Sequence, residues 1–420
     1  MAQEGNSHDA YAVLKIRDYR LFIIVRFFTT IAFQMQGLIV AWQVYEITRD
    51  PLQLGLIGLA EALPFIAVAL FAGHAADRYD RKRVIILFIL LFFLGTLILL
   101  AFTHWTALLY GLFGILPVYV VVAFSGISRA FIYPSVMALM AQLVPRNLYA
   151  NASTWNSTVW HIAAIAGPAV GGLIYGFFGA RVAYLTVIFF VALGLTLFSR
   201  VKRYPVPPLS REETLSQRLA SGIRFVFRNQ ILLGSMTLDM FAVLFGGAVA
   251  MLPVFAAEVL FVGPQGLGLL RAAPMAGAVL MSVLMAYRPP AENAGRWLFT
   301  GVAGFGISII AFALSTNFYL SLLLLFMSGI FDNISVIIRA TAMQLITPDE
   351  MRGRVASVNS IFIGSSNEIG SFESGVAAKI MGLIPSVVFG GAMTLGVVGI
   401  IAKVAPKLRR LNLTSILAAA

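Results

Sequence analysis

The sequence predicts an all-α integral membrane protein, with twelve transmembrane helices in two pseudo-symmetric six-helix bundles. Three observations carry that prediction. The 420 residues are 60% hydrophobic and 11% charged, with a mean hydropathy of +0.90. Soluble domains are about half apolar and about a quarter charged. Apolar runs of about 20 residues, the length a helix needs to cross the hydrocarbon core, recur along the whole chain. Landmarks of the first half also return in the second.

Spans are expected near 21 to 46, 52 to 73, 84 to 102, 108 to 142, 152 to 178, 182 to 199, 231 to 256, 267 to 287, 297 to 315, 318 to 345, 355 to 380 and 386 to 402. None reads as the short alternating segments of a β-barrel. Glu4, Asp9, Lys15, Arg17, Asp18 and Arg20 make the first twenty residues too polar for a cleavable signal peptide, so the first span is expected to do the targeting. The expected division is a cytoplasmic N-terminal segment over 1–20, an N-terminal bundle over 21–200, a cytoplasmic linker over 201–230, a C-terminal bundle over 231–402 and a cytoplasmic tail over 403–420. The final "LTSILAAA" is set aside from the fold.

A net charge of +12 raises the question of nucleic-acid binding, and its placement answers it. With both termini inside, Arg49, Arg181 and Lys379 fall on the outer side, and Arg26, Arg129, Arg271 and Arg339 fall within spans. The rest of the 30 Lys and Arg are cytoplasmic. That bias orients a chain in a bacterial inner membrane. The basic charge also suits anionic membrane lipids. Cysteine is absent, which excludes disulfides, thiolate metal sites and a cysteine nucleophile. His8, His74, His104 and His161 have no ligand spacing, and no nucleophile, base and orienter occur together. No metal or other cofactor is expected, and no enzyme.

The one long polar interval runs from Lys202 to Gln230. "KRYPVPPLS" is a proline-broken linker. Ser210 and Glu213 then have capping-box spacing, and Leu215, Leu219, Ile223 and Phe227 form an apolar stripe among Arg211, Arg218, Arg224 and Arg228. That pattern predicts an amphipathic helix on the cytoplasmic face, with a calmodulin-like partner site as the rival reading.

Sliding the second half over the first by 203 residues lays Ser125, Gly126 and Ile127 on Ser328, Gly329 and Ile330, and Pro145 on Pro348. Asn156 and Ser157 fall on Asn359 and Ser360, and Gly167 and Gly172 on Gly370 and Gly375. Such a repeat places a substrate site at the interface of the halves near the bilayer midplane.

"GHAADRYDRKR" lies between the second and third spans. Its Gly73, Asp77, Arg78, Arg81 and Lys82 match the G-x-x-x-D-R-x-G-R-K/R loop of the major facilitator superfamily, with Asp80 in place of the second glycine. "GPAVGG", Gly167 to Gly172, resembles the helix-five motif of that superfamily's antiporters through Gly167, Pro168, Gly171 and Gly172, with Ala163 where the motif usually begins with glycine. Arg129 sits where the family's helix-four arginine would be. The polar text "SSNEIGSFESG", Ser365 to Gly375, resembles the branch holding the enterobactin and macrolide exporters. The resemblance implies a conformational latch: Asp77 would sit at the N-terminus of helix eleven, near Gly353 to Ala356, whose dipole attracts negative charge by about 0.3–2 kcal/mol. Retention of positive charge on the inner side is an equal explanation for Lys82 and Arg83.

Charges at bilayer depth cost at least about 2.5–3.5 kcal/mol each and are functional candidates. Besides the four arginines they are Glu61, Asp239, Asp332, Glu368 and Glu373. None lies on spans three, six, nine or twelve, the outer helices of the superfamily fold. Arg129 and Asp332 are equivalent in the repeat and opposite in sign, placed to pair across a cavity or to lock helix packing. Glu61 and Asp239 lead as proton carriers, with Arg129 and Asp332 completing the coupling set; Glu61 as a satisfied buried acid is the alternative. Gln36, Asn156, Trp160, Asn333, Arg339, Asn359, Asn367 and Glu368 are expected to line the substrate cavity, and Trp155 and His161 to add a stacking wall, with packing as the rival role.

These features predict a monomeric, proton-coupled antiporter exporting an amphipathic small molecule, siderophore or drug in class. A lysophospholipid flippase or an importer shares the fold. A membrane-embedded enzyme lacks a catalytic cluster, and a passive channel is at odds with a repeat carrying a charged latch.

Overall fold

Backbone polar groups in hydrocarbon must bond within their own segment, so long apolar runs become helices. The structure, a computed structural model, describes residues 9–204, 215–290 and 292–419. In chain order its main helices are α1 (Arg17–Thr48), α2 (Pro51–Arg78), α3 (Arg81–His104), α4 (Thr106–Phe113), α5 (Leu116–Leu143), α6 (Tyr149–Ser199), α7 (Leu215–Arg228), α8 (Gln230–Phe245), α9 (Ala248–Val254), α10 (Gly263–Tyr287), α11 (Ala294–Leu314), α12 (Phe318–Ile346), α13 (Arg352–Met381) and α14 (Leu383–Val404). No strand occurs among the described residues. Among the described residues, ten stretches are long and apolar enough to cross a membrane. α13 is not one of them, because its 30 residues include "SSNEIGSFESG".

Two expected spans are interrupted. Residues 108 to 142 form α4 and α5, separated at Gly114, where φ is +59°. Residues 231 to 256 form α8 and α9 around Gly246 and Gly247, followed by a π-helical turn, Phe255–Val259. The 51-residue α6 is two arms broken at Gly179 (φ 81°, ψ 172°). Gly382, between α13 and α14, has nearly the same backbone (φ 90°, ψ 162°) and lies 203 residues later. A side chain is strained in that region of φ/ψ space, so both halves turn on glycine.

α3, the second arm of α6, α11 and α14 turn large apolar side chains outward: Leu87 and Leu94, Leu185 and Phe189, Ile307 and Leu314, Ile400 and Val404. These are the expected outer helices, and an exposed apolar face suits contact with lipid.

α7 lies across the start of α13. Val226 is buried with Val355 and Val358, and Gly222 sits against the Arg354 backbone. Ile223 and Phe227 of the expected stripe are exposed on the other side. The Ser210–Glu213 capping box lies outside the described residues, as do the side chains of Leu215 and Leu219. The C-terminal tail joins the core: Leu408 and Leu411 are buried, the Gly295 N–H donates to the Leu411 carbonyl (3.0 Å), and Leu413, the first residue of the stretch set aside in the sequence, is buried with them.

Candidate transport pathway

The halves meet at the end remote from the linker, through two glycine crossings. At one, α6 meets α10: a Cβ on Gly172 would stand 2.8 Å from the Gly268 Cα and would also strike the Pro264 carbonyl. At the other, α13 meets α2: a Cβ on Gly375 would stand 2.7 Å from the Gly55 Cα and 3.2 Å from the Pro51 carbonyl oxygen. These are the same contact, repeated. Gly172 and Gly375 are related by the 203-residue shift, whereas Pro51 and Gly55 reach Pro264 and Gly268 by a shift of 213. Within the halves, Gly126 packs on the Glu61 backbone and Gly329 on that of Pro274, again related by those two shifts. The sequence reading missed α2 and α10 because an ungapped slide at 203 residues does not take in the 213-residue register of α1 to α3, which ends at α4, a helix with no counterpart between α11 and α12.

Two polar pairs bridge the halves at the same end: Tyr45 donates to Glu258, and Lys379 sits 3.1 Å from Asp50. None of these residues was expected to matter. The antiporter-type motif divides its work, with Gly167 and Gly171 against Gln34 and Met35 of α1 in their own half and Pro168 and Gly172 against Gly268 of the other.

At the linker end the halves stand apart. A Cβ on Gly73 or on Gly353 would meet nothing within 4 Å. A cavity of about 640 Å³ opens between α6 and α10, lined by Ser153, Thr154, Ser157, Thr158, His161 and Ser282 among others. The expected contact of Asp77 with Gly353 to Ala356 cannot be traced, since the Asp77 side chain lies outside the described residues. The rest of that loop is tied within its own half. Asp80, the departure from the family pattern, caps α3 by accepting from the Lys82 and Arg83 N–H groups. Arg81 donates to the Ala76 carbonyl (3.0 Å), and Arg78 is exposed. Lys82 is buried, its Nζ donating to the Ser199 and Val201 carbonyls at the C-terminal end of α6 (2.8 and 2.5 Å). A cation there meets the negative end of the helix dipole.

Between the halves, Arg129 on α5 pairs with Glu61 on α2, and Glu368 on α13 lies 3.9 Å from the same guanidinium. The Arg129 side chain is 50% exposed although it sits in mid-helix, so this cluster lines open space. Arg271 on α10 lies in electrostatic range of both acids. A second cluster is enclosed in the C-terminal half, where Arg339 on α12 pairs with Asp239 on α8 and both are buried. Asp332 is within electrostatic range of that pair. Arg129 and Asp332 are therefore not paired with each other; each joins charges of its own surroundings. Arg26 is enclosed in the N-terminal half among Phe22, Ile85, Ile89 and Phe198, its Nε without a partner.

Four expected cavity residues are packed inside the bundles instead. Gln36 is buried, donating to Ser125 Oγ (3.3 Å) and accepting from Thr96 Oγ1 (2.7 Å). Asn333 donates to the Ala278 carbonyl and to Ser282 Oγ (2.8 Å each). Arg339 is taken up by Asp239. Asn156 is buried on the side of Ala152, whose carbonyl accepts from Tyr19 on α1. Composition cannot separate these from cavity residues, because a buried polar group needs partners on either side of a helix. Trp160, Asn359 and Glu368 are half-buried and Asn367 is exposed. Trp160 packs edge-on against His161, while Trp155 is turned away, donating to the Ala10 carbonyl and packing on Tyr11.

The profile of the Major Facilitator Superfamily matches residues 22–371. The chain belongs to the major facilitator superfamily. It is a multi-pass membrane protein that transports small molecules and is not an enzyme. Among curated proteins it is similar to Enterobactin exporter EntS of Shigella flexneri, 24% identical over 341 residues, 80% of this chain and 79% of that one. The EntS of Salmonella typhi is likewise 24% identical over 338 residues, 80% of each. Solved superfamily structures share the fold. A D-xylose-proton symporter aligns with TM-score 0.72 at 14% identity, over 94% of this chain and 98% of that one. A bacterial homologue of the iron transporter ferroportin, in an inward-facing state, aligns with TM-score 0.72 at 16% identity, over 94% and 98%.

Proposed function

We propose that the protein is a proton-coupled antiporter that exports an amphipathic organic molecule, siderophore or drug in class, from a bacterial cytoplasm by alternating access. The observation that carries this reading is the exposed Arg129–Glu61–Glu368 cluster, facing a gap that is shut at one end by paired glycine crossings and open at the other. The names of the relatives support export, as does the helix-five motif. On this reading the chain is a monomer with both termini cytoplasmic, and the two arms of α6 and the polar α13 complete twelve spans. The linker end is then the cytoplasmic end, and the form described is inward-open.

Substrate enters between α6 and α10 and meets the central charges. Closing the linker end brings Asp77 to the start of α13, and opening the far end breaks Asp50–Lys379 and Tyr45–Glu258. The enclosed Asp239–Arg339 pair, with Asp332 near it, is suited to carry the proton, because it is walled off from a bulky substrate. Glu61, bonded to Arg129, is suited to hold that guanidinium in the substrate site.

Reconstitution tests the proposal. In vesicles with an imposed proton gradient, enterobactin added on the linker side should dissipate the gradient saturably, and Asp77→Asn should lower turnover with expression intact. Substrate movement indifferent to the gradient would remove proton coupling, and gradient-independent movement of a lysophospholipid would favour the flippase.

A further inference from the structure

We propose that Arg271 is the anion-anchoring residue of the substrate site, taking a carboxylate or another planar oxyanion of the transported molecule. The inference rests on the gap between the halves being the substrate site. Among the intramembrane arginines, Arg129 is held by Glu61 and Arg339 by Asp239, whereas Arg271 makes no hydrogen bond or ion pair among the described residues. Arg26 also lacks an acid partner, but it is enclosed within the N-terminal half among Ile85, Ile89 and Phe198, away from the gap.

The repeat explains where Arg271 points. The 213-residue shift that carries Gly55 to Gly268 carries Gly58 to Arg271. Gly58 lies flush on α13, where its Cβ would stand 2.7 Å from that of Ser371. At the equivalent place in the other crossing an arginine replaces hydrogen, and its guanidinium reaches across to α1. Arg271 Nη2 lies 3.5 Å from where a Cβ on Gly37 would stand. A Cβ at 37 would make ordinary van der Waals contact with it. Glu61 and Glu368 attract the guanidinium from a distance and Arg129 repels it, yet no acid reaches it. A guanidinium with its planar fork of N–H donors free is shaped for a bidentate oxyanion. A charge left unpaired at membrane depth is costly, and ligand binding offsets that cost.

The chain has no cysteine, so Gly37→Cys creates one thiol beside Arg271. In purified full-length protein its reaction with anionic 2-sulfonatoethyl methanethiosulfonate, relative to the cationic trimethylammonium analogue, should fall about tenfold when Arg271→Gln is added and be retained with Arg271→Lys. Independently of that cysteine, 1-pyrenebutyrate should bind the otherwise unaltered chain at least tenfold more tightly than its methyl ester, a preference lost in Arg271→Gln. An unchanged reagent ratio, a thiol that neither reagent reaches, or equal binding of acid and ester overturns the proposal. Both measurements read charge rather than transport. A failure of proton-driven export would therefore leave them intact, and their failure would leave export standing.

Discussion

Gly172 of α6 and Gly268 of α10 hold the two halves together at backbone contact, with the Gly268 Cα 2.8 Å from the place a Gly172 Cβ would occupy. A side chain there must push the halves apart. Overpacking typically costs about 1–3 kcal/mol, enough to shift a two-state equilibrium by about fivefold to more than a hundredfold. Gly172→Val should therefore favour the far-end-open form. The distance between spin labels at Arg49 and Phe261, exposed at that end on opposite halves, should lengthen. An unchanged distance distribution would deny the crossing a gating role.

Asp50 and Lys379 should act as a weak ionic lock beside that crossing. Burial pushes the Asp50 carboxyl up, but the Lys379 ammonium and the Leu52 N–H outweigh it and hold the group below its ordinary value. A lowered value means the closed form gains from the ionised acid at neutral pH and loses that gain as pH falls through it, below about pH 4. Asp50→Asn keeps the helix cap and removes the charge. It should lower the closed fraction by no more than about fivefold, as expected of a partly exposed pair worth about 0.2–1 kcal/mol. Wild type in strong acid or high salt should match it, while the variant's own acid response should be flat.

Lys82 should prove to be a structural cap. Lys82→Met strands the Ser199 and Val201 carbonyls and should cost about 1–3 kcal/mol, read as a lower thermal midpoint. Turnover per folded molecule should stay near wild type. A variant with normal stability and lost turnover would return Lys82 to the latch.

Asp239→Asn leaves Arg339 buried without its counter-charge, a change worth about 3–5 kcal/mol. Adding Arg339→Gln should restore much of the thermal stability. The double variant should still bind substrate but no longer respond to a proton gradient. Full gradient-driven export by that double variant would move proton coupling elsewhere.

Gly179→Ala and Gly382→Ala should each destabilise by about 1–3 kcal/mol through backbone strain alone, because no neighbour stands within 4 Å of a Gly179 Cβ and only Pro385 Cδ, at 3.8 Å, approaches one on Gly382. Similar falls in thermal midpoint for both would fit their equivalence in the repeat; a neutral Gly179→Ala would not.

Hydropathy, the positive-inside bias and the 203-residue echo from Ser125 to Gly375 were legible as text, because membrane insertion acts on local composition and a repeat keeps its spacing where loops keep their length. The peripheral place of α3 and α14 was implied by the superfamily resemblance, and the absence of charge from their expected spans, 84 to 102 and 386 to 402, supported it. Partners were not legible. Which acid holds Arg129, whether Gln36 faces a cavity or Thr96, and why Arg271 lies over Gly37 depend on helix rotation and on the offset introduced by α4, which the second half lacks. Those are set by packing between segments far apart in the chain, and only the assembled helices decide them.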